Sequence, residues 1–239
     1  MVAWTESMNA KKAYTVATAL RDIQRGQPEK ALKHLEKCIR YDAEDPVVWN
    51  LKGVALGMMG EHEQSLIWYE KVLSVDPTQA LYWNNKGLAL HNLGRFAEAE
   101  QTYQHALELD PESLETRYNL ANTLQSLGRY EEAVEYYEKI LVDRPDHILT
   151  MLNLGNALAA LHQFKGAISI YTEILEICPD YADAAFNIGH TYEEMEEYAQ
   201  AIAWYTRTLE IDPTYHHALE QRNLLIDRGI QEGSKFERR

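Results

Sequence analysis

The sequence has few cysteines and no long apolar run. Only Cys38 and Cys178 occur among the 239 residues, too few for the disulfide framework of a small secreted domain. No stretch approaches the roughly 20 consecutive apolar residues of a membrane span. Residues 1–11 lack the basic start, apolar core and cleavage site of a signal peptide. These absences predict a reduced, cytoplasmic compartment.

Basic residues are also scarce. Lysine and arginine number 23 against 37 acidic residues, which gives a net charge of −14. This balance argues against nucleic acid or an anionic membrane surface as the main partner. The chain has no glycine-rich phosphate loop, nucleophile motif or cofactor fingerprint. We therefore expect a protein that is not an enzyme and has no catalytic residues, cofactor or metal site.

The dominant feature is a pattern that recurs every 34 residues from Lys12 onward. Each unit contains an apolar-periodic segment, a short break, a second such segment and a stop. A fixed internal period of this size is typical of solenoids, in which each unit buries its apolar face against its neighbours. The six predicted repeats are 12–45, 46–79, 80–113, 114–147, 148–181 and 182–215.

Small and large residues hold fixed places within the repeat. The eighth position is always small: Ala19, Gly53, Gly87, Ala121, Gly155 and Gly189. The twenty-fourth is Leu35 and then always tyrosine: Tyr69, Tyr103, Tyr137, Tyr171 and Tyr205. Small against large at matched positions predicts two closely packed helices in each repeat.

Glycine and proline mark the ends of the predicted helices. Gly26, Gly60, Gly94 and Gly128 separate the two segments of the first four repeats, where a left-handed helix cap suits glycine. His162 and Glu196 replace glycine in the last two repeats, so we expect those turns to be strained or differently shaped. Proline at the thirty-second position ends each repeat from the second onward: Pro77, Pro111, Pro145, Pro179 and Pro213.

The repeat resembles the tetratricopeptide repeat family. One unit carries the signature residues Trp83, Gly87, Leu90, Gly94, Phe96, Ala99, Tyr103, Ala106 and Pro111. The resemblance implies an all-α fold, an α-solenoid that winds as a right-handed superhelix of six helix-turn-helix repeats. It implies a single domain over 12–229 that ends in a capping helix at 216–229, with an N-terminal extension at 1–11. We expect a flexible C-terminal tail at 230–239.

The resemblance also implies that the first helix of each repeat lines a concave face. The residues that would form a peptide-binding groove there are Asn50, Leu51, Asn84, Asn85, Leu88, His91, Tyr118, Asn119, Asn122, Asn153, Asn156, Phe186, Asn187 and His190. Four asparagines recur at the sixth position: Asn85, Asn119, Asn153 and Asn187. Their carboxamides can hydrogen-bond the main chain of an extended peptide. The alternative is a structural role, either solvated or bridging adjacent repeats.

The expected groove changes character along its length. Its N-terminal end is apolar, with Leu20, Ile23, Val47, Leu51, Val54 and Met58. Its far end carries Asp183, Glu193 and Glu194. This gradient predicts an extended peptide that is apolar at one end and basic at the other. Alternatively, the protein's own Val2, Trp4 and Met8 fill the apolar end.

These observations predict a protein-interaction scaffold or adaptor that binds a peptide or a partner protein. Two other interpretations stay open. In the first, the chain is a recruiting or regulatory subunit of an enzyme such as a glycosyltransferase. In the second, it is a scaffold that self-associates.

Overall fold

The structure, a computed structural model, describes the backbone of residues 2–41 and 44–236 and the side chains of residues 10–40 and 44–229. Within these residues the chain forms thirteen α-helices and no strand. They are α1 (Val2–Gln24), α2 (Pro28–Tyr41), α3 (Pro46–Met58), α4 (His62–Val75), α5 (Ala80–Asn92), α6 (Phe96–Leu109), α7 (Leu114–Ser126), α8 (Tyr130–Asp143), α9 (Ile148–Ala160), α10 (Phe164–Ile177), α11 (Ala182–Glu194), α12 (Tyr198–Ile211) and α13 (His216–Phe236).

The helices follow the period of the sequence. From the second repeat onward, the first helix begins at the first position of the predicted repeat: Pro46, Ala80, Leu114, Ile148, Ala182 and His216. Local signals reinforce the first of these starts, since the Asp45 carboxylate accepts a hydrogen bond from the N–H of Val47 at 2.8 Å, and Pro46 occupies the first turn. The helix starts are therefore set largely by the repeat itself.

The chain divides into two compact units, Met1–Leu127 and Gly128–Arg239. In the first unit each helix from α1 to α7 packs against the next, and in the second unit so does each helix from α9 to α13, with α8 against α9. The core of each unit is a set of small clusters between neighbouring helices, such as Trp49 with Val72 and Tyr82. The predicted all-α solenoid is thus confirmed within each unit.

Both terminal helices extend further than the sequence predicted. Helix α1 begins at Val2, so it includes most of the predicted N-terminal extension. Helix α13 continues through Gly229 to Phe236, so the predicted helix end at Gly229 is wrong and the predicted flexible tail begins inside this helix. A glycine within a helix costs only about 1 kcal/mol relative to alanine. The proposed docking of Val2, Trp4 and Met8 lies outside the described side chains.

Glycine and tyrosine make the closest contacts within a repeat. A Cβ atom placed on Gly87 would lie 2.6 Å from Cε1 of Tyr103, and one on Gly53 would lie 2.6 Å from Cε1 of Tyr69. These distances are too short for real carbon atoms, so only glycine fits beside these rings. The predicted packing of small residues against large ones is confirmed in these repeats.

The turns between paired helices share one backbone conformation. Gly94 has a φ of +73°, and His162 and Glu196 have φ values of 56° and 60°. In both kinds of turn the residue with a positive φ donates its N–H to the main-chain carbonyl three residues earlier. Gly94 donates to His91 at 2.9 Å, and His162 donates to Ala159 at 2.8 Å. Of the two outcomes expected at His162 and Glu196, strain is confirmed, since residues with a Cβ atom rarely adopt this conformation, whereas a different turn shape is not found.

Replacing Gly87 tests the close packing of the helices. We expect Gly87→Ala to lower the free energy of unfolding by about 1–3 kcal/mol, because the methyl group would overlap the Tyr103 ring. Urea denaturation followed by circular dichroism measures the change. Gly57→Ala is the matched control, since its Cβ would meet nothing closer than the Ser65 Oγ at 3.5 Å. Equal midpoints for both variants would contradict the account.

The two strained turns should become more stable when glycine is restored. We expect His162→Gly and Glu196→Gly each to raise the free energy of unfolding by roughly 0.5–1 kcal/mol. Glycine relieves the strain of the left-handed conformation, but part of this gain is offset because glycine also makes the unfolded chain more flexible. Gly94→Ala should have the opposite effect, since no atom lies within 4 Å of the added Cβ and only the backbone would be strained. Thermal unfolding of the three variants checks the signs.

Candidate functional site

All of the predicted groove residues lie on the first helices of the repeats. Within each unit these helices form what we call its first-helix face, which comprises α3, α5 and α7 in the first unit and α9 and α11 in the second. The structure buries Asn50, Leu51 and Asn84, so these three side chains contact neighbouring repeats and are not open to a ligand. Leu88 and His190 are exposed. The others are half-buried: Asn85, His91, Tyr118, Asn119, Asn122, Asn153, Asn156, Phe186 and Asn187.

Asparagine side chains connect the first helices of the first unit. Asn85 Nδ2 donates to Asn50 Oδ1 at 2.9 Å, and Asn119 Nδ2 donates to Asn84 Oδ1 at 3.0 Å. In each case the sixth position of a repeat donates to the fifth position of the repeat before it. Asn84 Nδ2 in turn donates to the Glu115 carboxylate at 3.0 Å. The asparagines therefore bridge adjacent repeats, as the structural alternative predicted.

The same bridge in the second unit uses a different acceptor. Asn187 Nδ2 donates to Asn156 Oδ1 at 3.0 Å, and the Tyr171 hydroxyl donates to the same oxygen at 2.7 Å. The fifth position of that repeat is Leu152, which has no polar atom to accept the bond. The amide at the ninth position replaces it, so the link between α9 and α11 is kept.

The bridges use amide donors and leave acceptors on the first-helix face. Among the residues described, no donor bonds to Oδ1 of Asn85 or of Asn119. Both side chains are only half-buried, and Asn85 also lines a cavity in the first unit. A carboxamide oxygen can accept from a peptide N–H. The structural role of the amides and a binding role are therefore compatible.

His91 is held in a defined orientation beside this network. The Thr123 hydroxyl donates its hydrogen to the main-chain carbonyl of Asn119 at 2.8 Å. The same hydroxyl oxygen therefore accepts from the His91 Nδ1–H, 2.9 Å away. The ring also packs edge-on against Phe96, with centroids 5.1 Å apart. Burial lowers the pKa of His91 below its usual value of 6.5, which keeps the imidazole neutral at neutral pH. His91 thus contributes a fixed, uncharged polar surface.

A cavity of about 260 Å³ opens between α3, α4 and α5 in the first unit. It includes two predicted groove residues, Asn85 and Leu88, together with residues of α4 that sequence reasoning missed. The lining residues are Val54, Gly57, Met58, His62, Ser65, Tyr69, Asn85, Leu88, Ala89 and Asn92. One signal could have pointed to α4, because Ser65 stands where every other repeat has alanine.

Aromatic rings cluster at the acidic end of the second unit. The Phe186 ring stacks on Tyr215 at a centroid distance of 5.1 Å and lies 5.5 Å from Tyr205. The Tyr205 hydroxyl donates to Glu193 at 2.6 Å, and burial together with this bond raises the pKa of Tyr205. The Tyr215 hydroxyl likewise donates to Asp183 at 2.8 Å. At least two of the three carboxylates expected to attract a basic ligand therefore already have partners within the protein.

The described residues hold neither a metal-binding cluster nor a helix suited to span a membrane. No group of three or more histidine, cysteine, aspartate or glutamate side chains there could hold a metal ion. None of the helices in that part of the chain combines the length and apolar character needed to cross a membrane.

Removing a buried bridge tests its contribution to stability. Asn84→Ala would leave the Asn119 amide and the Glu115 carboxylate without this partner. We therefore expect it to lower the free energy of unfolding by about 1–3 kcal/mol. Asn92→Ala is the matched control on the same helix, because Asn92 is exposed. The urea midpoints of both variants measure the difference. A midpoint for Asn84→Ala as high as that of the control would show that the bridge is dispensable.

Solved structures with similar folds were found with low sequence identity. "YrrB: a TPR protein with an unusual peptide-binding site" is 24% identical, with 79% of this chain and 97% of that chain covered and a TM-score of 0.65. PilF of Pseudomonas aeruginosa is 21% identical, with 90% and 97% covered and a TM-score of 0.74. PilW, a type IV pilus biogenesis factor, is 15% identical, with 90% and 98% covered and a TM-score of 0.79. At these identities the likeness shows the fold alone.

Family models match most of the chain, although no curated protein sequence matches it. Models described as tetratricopeptide repeat match residues 47–79 and residues 77–141, 112–180 and 146–214. These ranges follow the repeats in which the glycine–tyrosine contacts and the left-handed turns occur. The protein belongs to the tetratricopeptide repeat family.

Proposed function

We propose that this protein is a non-enzymatic interaction scaffold that holds an extended segment of a partner protein along the first-helix face of its first unit. The observation that carries the proposal is the arrangement in the first unit, where amide oxygens recur from repeat to repeat beside an open cavity. An extended peptide has an N–H group at regular intervals, and unpaired acceptors at regular intervals are what it requires.

The composition supports the choice of a protein partner. A net charge of −14 repels nucleic acid and anionic membranes, and favours a neutral or basic segment. The peptide-binding site named for YrrB belongs to that protein, but it supports the same use of the fold here. Cys38 and Cys178 are both free thiols, which supports a reduced compartment such as the cytoplasm.

Selection from a peptide library tests the proposal and identifies the peptides that the protein binds. The full chain is immobilised, a phage library of random peptides is selected on it, and the recovered sequences are synthesised. Their Kd values are measured by fluorescence anisotropy. We expect Asn122→Arg, on the first-helix face, to weaken binding about tenfold or more, equivalent to about 1.4 kcal/mol.

The matched control places the same charge elsewhere. Ile67 lies on the second helix α4 and is 64% exposed, so Ile67→Arg should leave Kd unchanged within about twofold, or roughly 0.4 kcal/mol. Circular dichroism confirms that both variants are folded. Recovery of no binding peptide, or equal losses for both variants, would contradict a site on the first-helix face. Sedimentation of the free protein shows in parallel whether copies associate.

A further inference from the structure

We infer that the cavity between α3, α4 and α5 is a specificity pocket for one large apolar side chain of the bound peptide. This inference rests on the proposed function and adds the chemistry of the ligand. The cavity, at about 260 Å³, is smaller than the roughly 300–1,000 Å³ typical of sites for whole small molecules. Its size suits a single side chain such as leucine, methionine or phenylalanine.

The walls of the pocket are suited to an apolar group. Val54, Met58, Leu88 and Ala89 contribute aliphatic surface, and no aspartate, glutamate, lysine or arginine lines the cavity. The absence of charge is notable in a chain with a net charge of −14. Met58 and Leu88 are 46% and 40% exposed, and a flexible methionine adapts to different side chains. An uncharged anchor residue is therefore favoured over a basic one.

Polar atoms in the cavity point to a peptide rather than to a purely apolar ligand such as an acyl chain. His62 Nδ1 is buried and has no hydrogen-bond partner among the described residues. Asn85 donates through its Nδ2 to Asn50, and its Oδ1 accepts no hydrogen bond from the described residues. The main chain of a peptide can donate to the Asn85 carboxamide oxygen, whereas a hydrocarbon chain cannot.

The pocket depends on a glycine at one position of the repeat. Its repeat has Gly57 at the twelfth position, where the next repeat has His91. His91 packs against Phe96 and bonds to Thr123, so a side chain occupies that position in the next repeat. Ser65 also lines the cavity, and its hydroxyl already donates to the Gly53 main-chain carbonyl at 2.8 Å. The twelfth position of the second repeat is thus left open to a guest side chain.

Filling the pocket from within tests this inference. Gly57→Leu places a side chain in the cavity, and Gly57→Ala is the control, because its added methyl makes only ordinary contact with Ser65. Met58→Trp, which covers the pocket from an exposed position, serves as a second variant in case Gly57→Leu does not fold. The probes are the peptides selected on the full chain, each compared with versions in which one residue at a time is alanine.

We expect one apolar position to dominate binding to the unmodified protein, with about a tenfold or greater loss when it becomes alanine. Gly57→Leu or Met58→Trp should bind the parent peptide about as weakly as the unmodified protein binds the alanine-substituted peptide. For these variants the alanine substitution should not change Kd further, whereas Gly57→Ala should bind both peptides as the unmodified protein does. Undiminished binding to a folded, filled variant would overturn the pocket while leaving the proposed function intact. Failure of every peptide to bind the unmodified protein would overturn both.

Discussion

The contact between glycine and a tyrosine ring governs the rest of this structure. It brings the first helix of a repeat close to the second, as at Gly87 and Tyr103, and it recurs at the same position in four repeats. The rings are buried, so each contact holds the two helices of its repeat close together. Repeats that share this packing stack in the same way within a unit, so residues at equal repeat positions lie on the same face of that unit.

The amide bridges and the cavity both depend on this stacking. An asparagine at the sixth position meets the fifth position of the preceding repeat only because the first helices are neighbours, as Asn85 and Asn50 show. The bridges satisfy amide donors that would otherwise lack partners, and they leave oxygens such as Asn85 Oδ1 within reach of a ligand. Under the proposed function, the side chains that link the repeats would also contact the ligand, and the apolar cavity beside them would select its anchor residue.

The sequence predicted the features that depend on local or periodic signals. Helix starts and the close contact at Gly87 follow from residue type at a fixed repeat position. The left-handed turns at His162 and Glu196 follow from their place in the repeat, since their residue types disfavour that conformation. It did not predict the burial of Asn84, because that depends on how neighbouring repeats pack. Nor did it predict that His62 of α4 lines the cavity, because the repeat pattern marks the second helices only as packing elements. The continuation of α13 past Gly229 was missed because one glycine is too weak a signal to end a helix.

The central claim is that amides of the first-helix face contact a bound peptide. It is tested most directly by nuclear magnetic resonance of ¹⁵N-labelled protein, in which side-chain amide signals are followed as a selected peptide is added. The account predicts that the amide signals of Asn85 and Asn119 shift with the binding isotherm. Gln101 and Gln104, exposed on α6, should not move. Shifts at these two glutamines with none at the asparagines would place the ligand on the second helices and contradict the account.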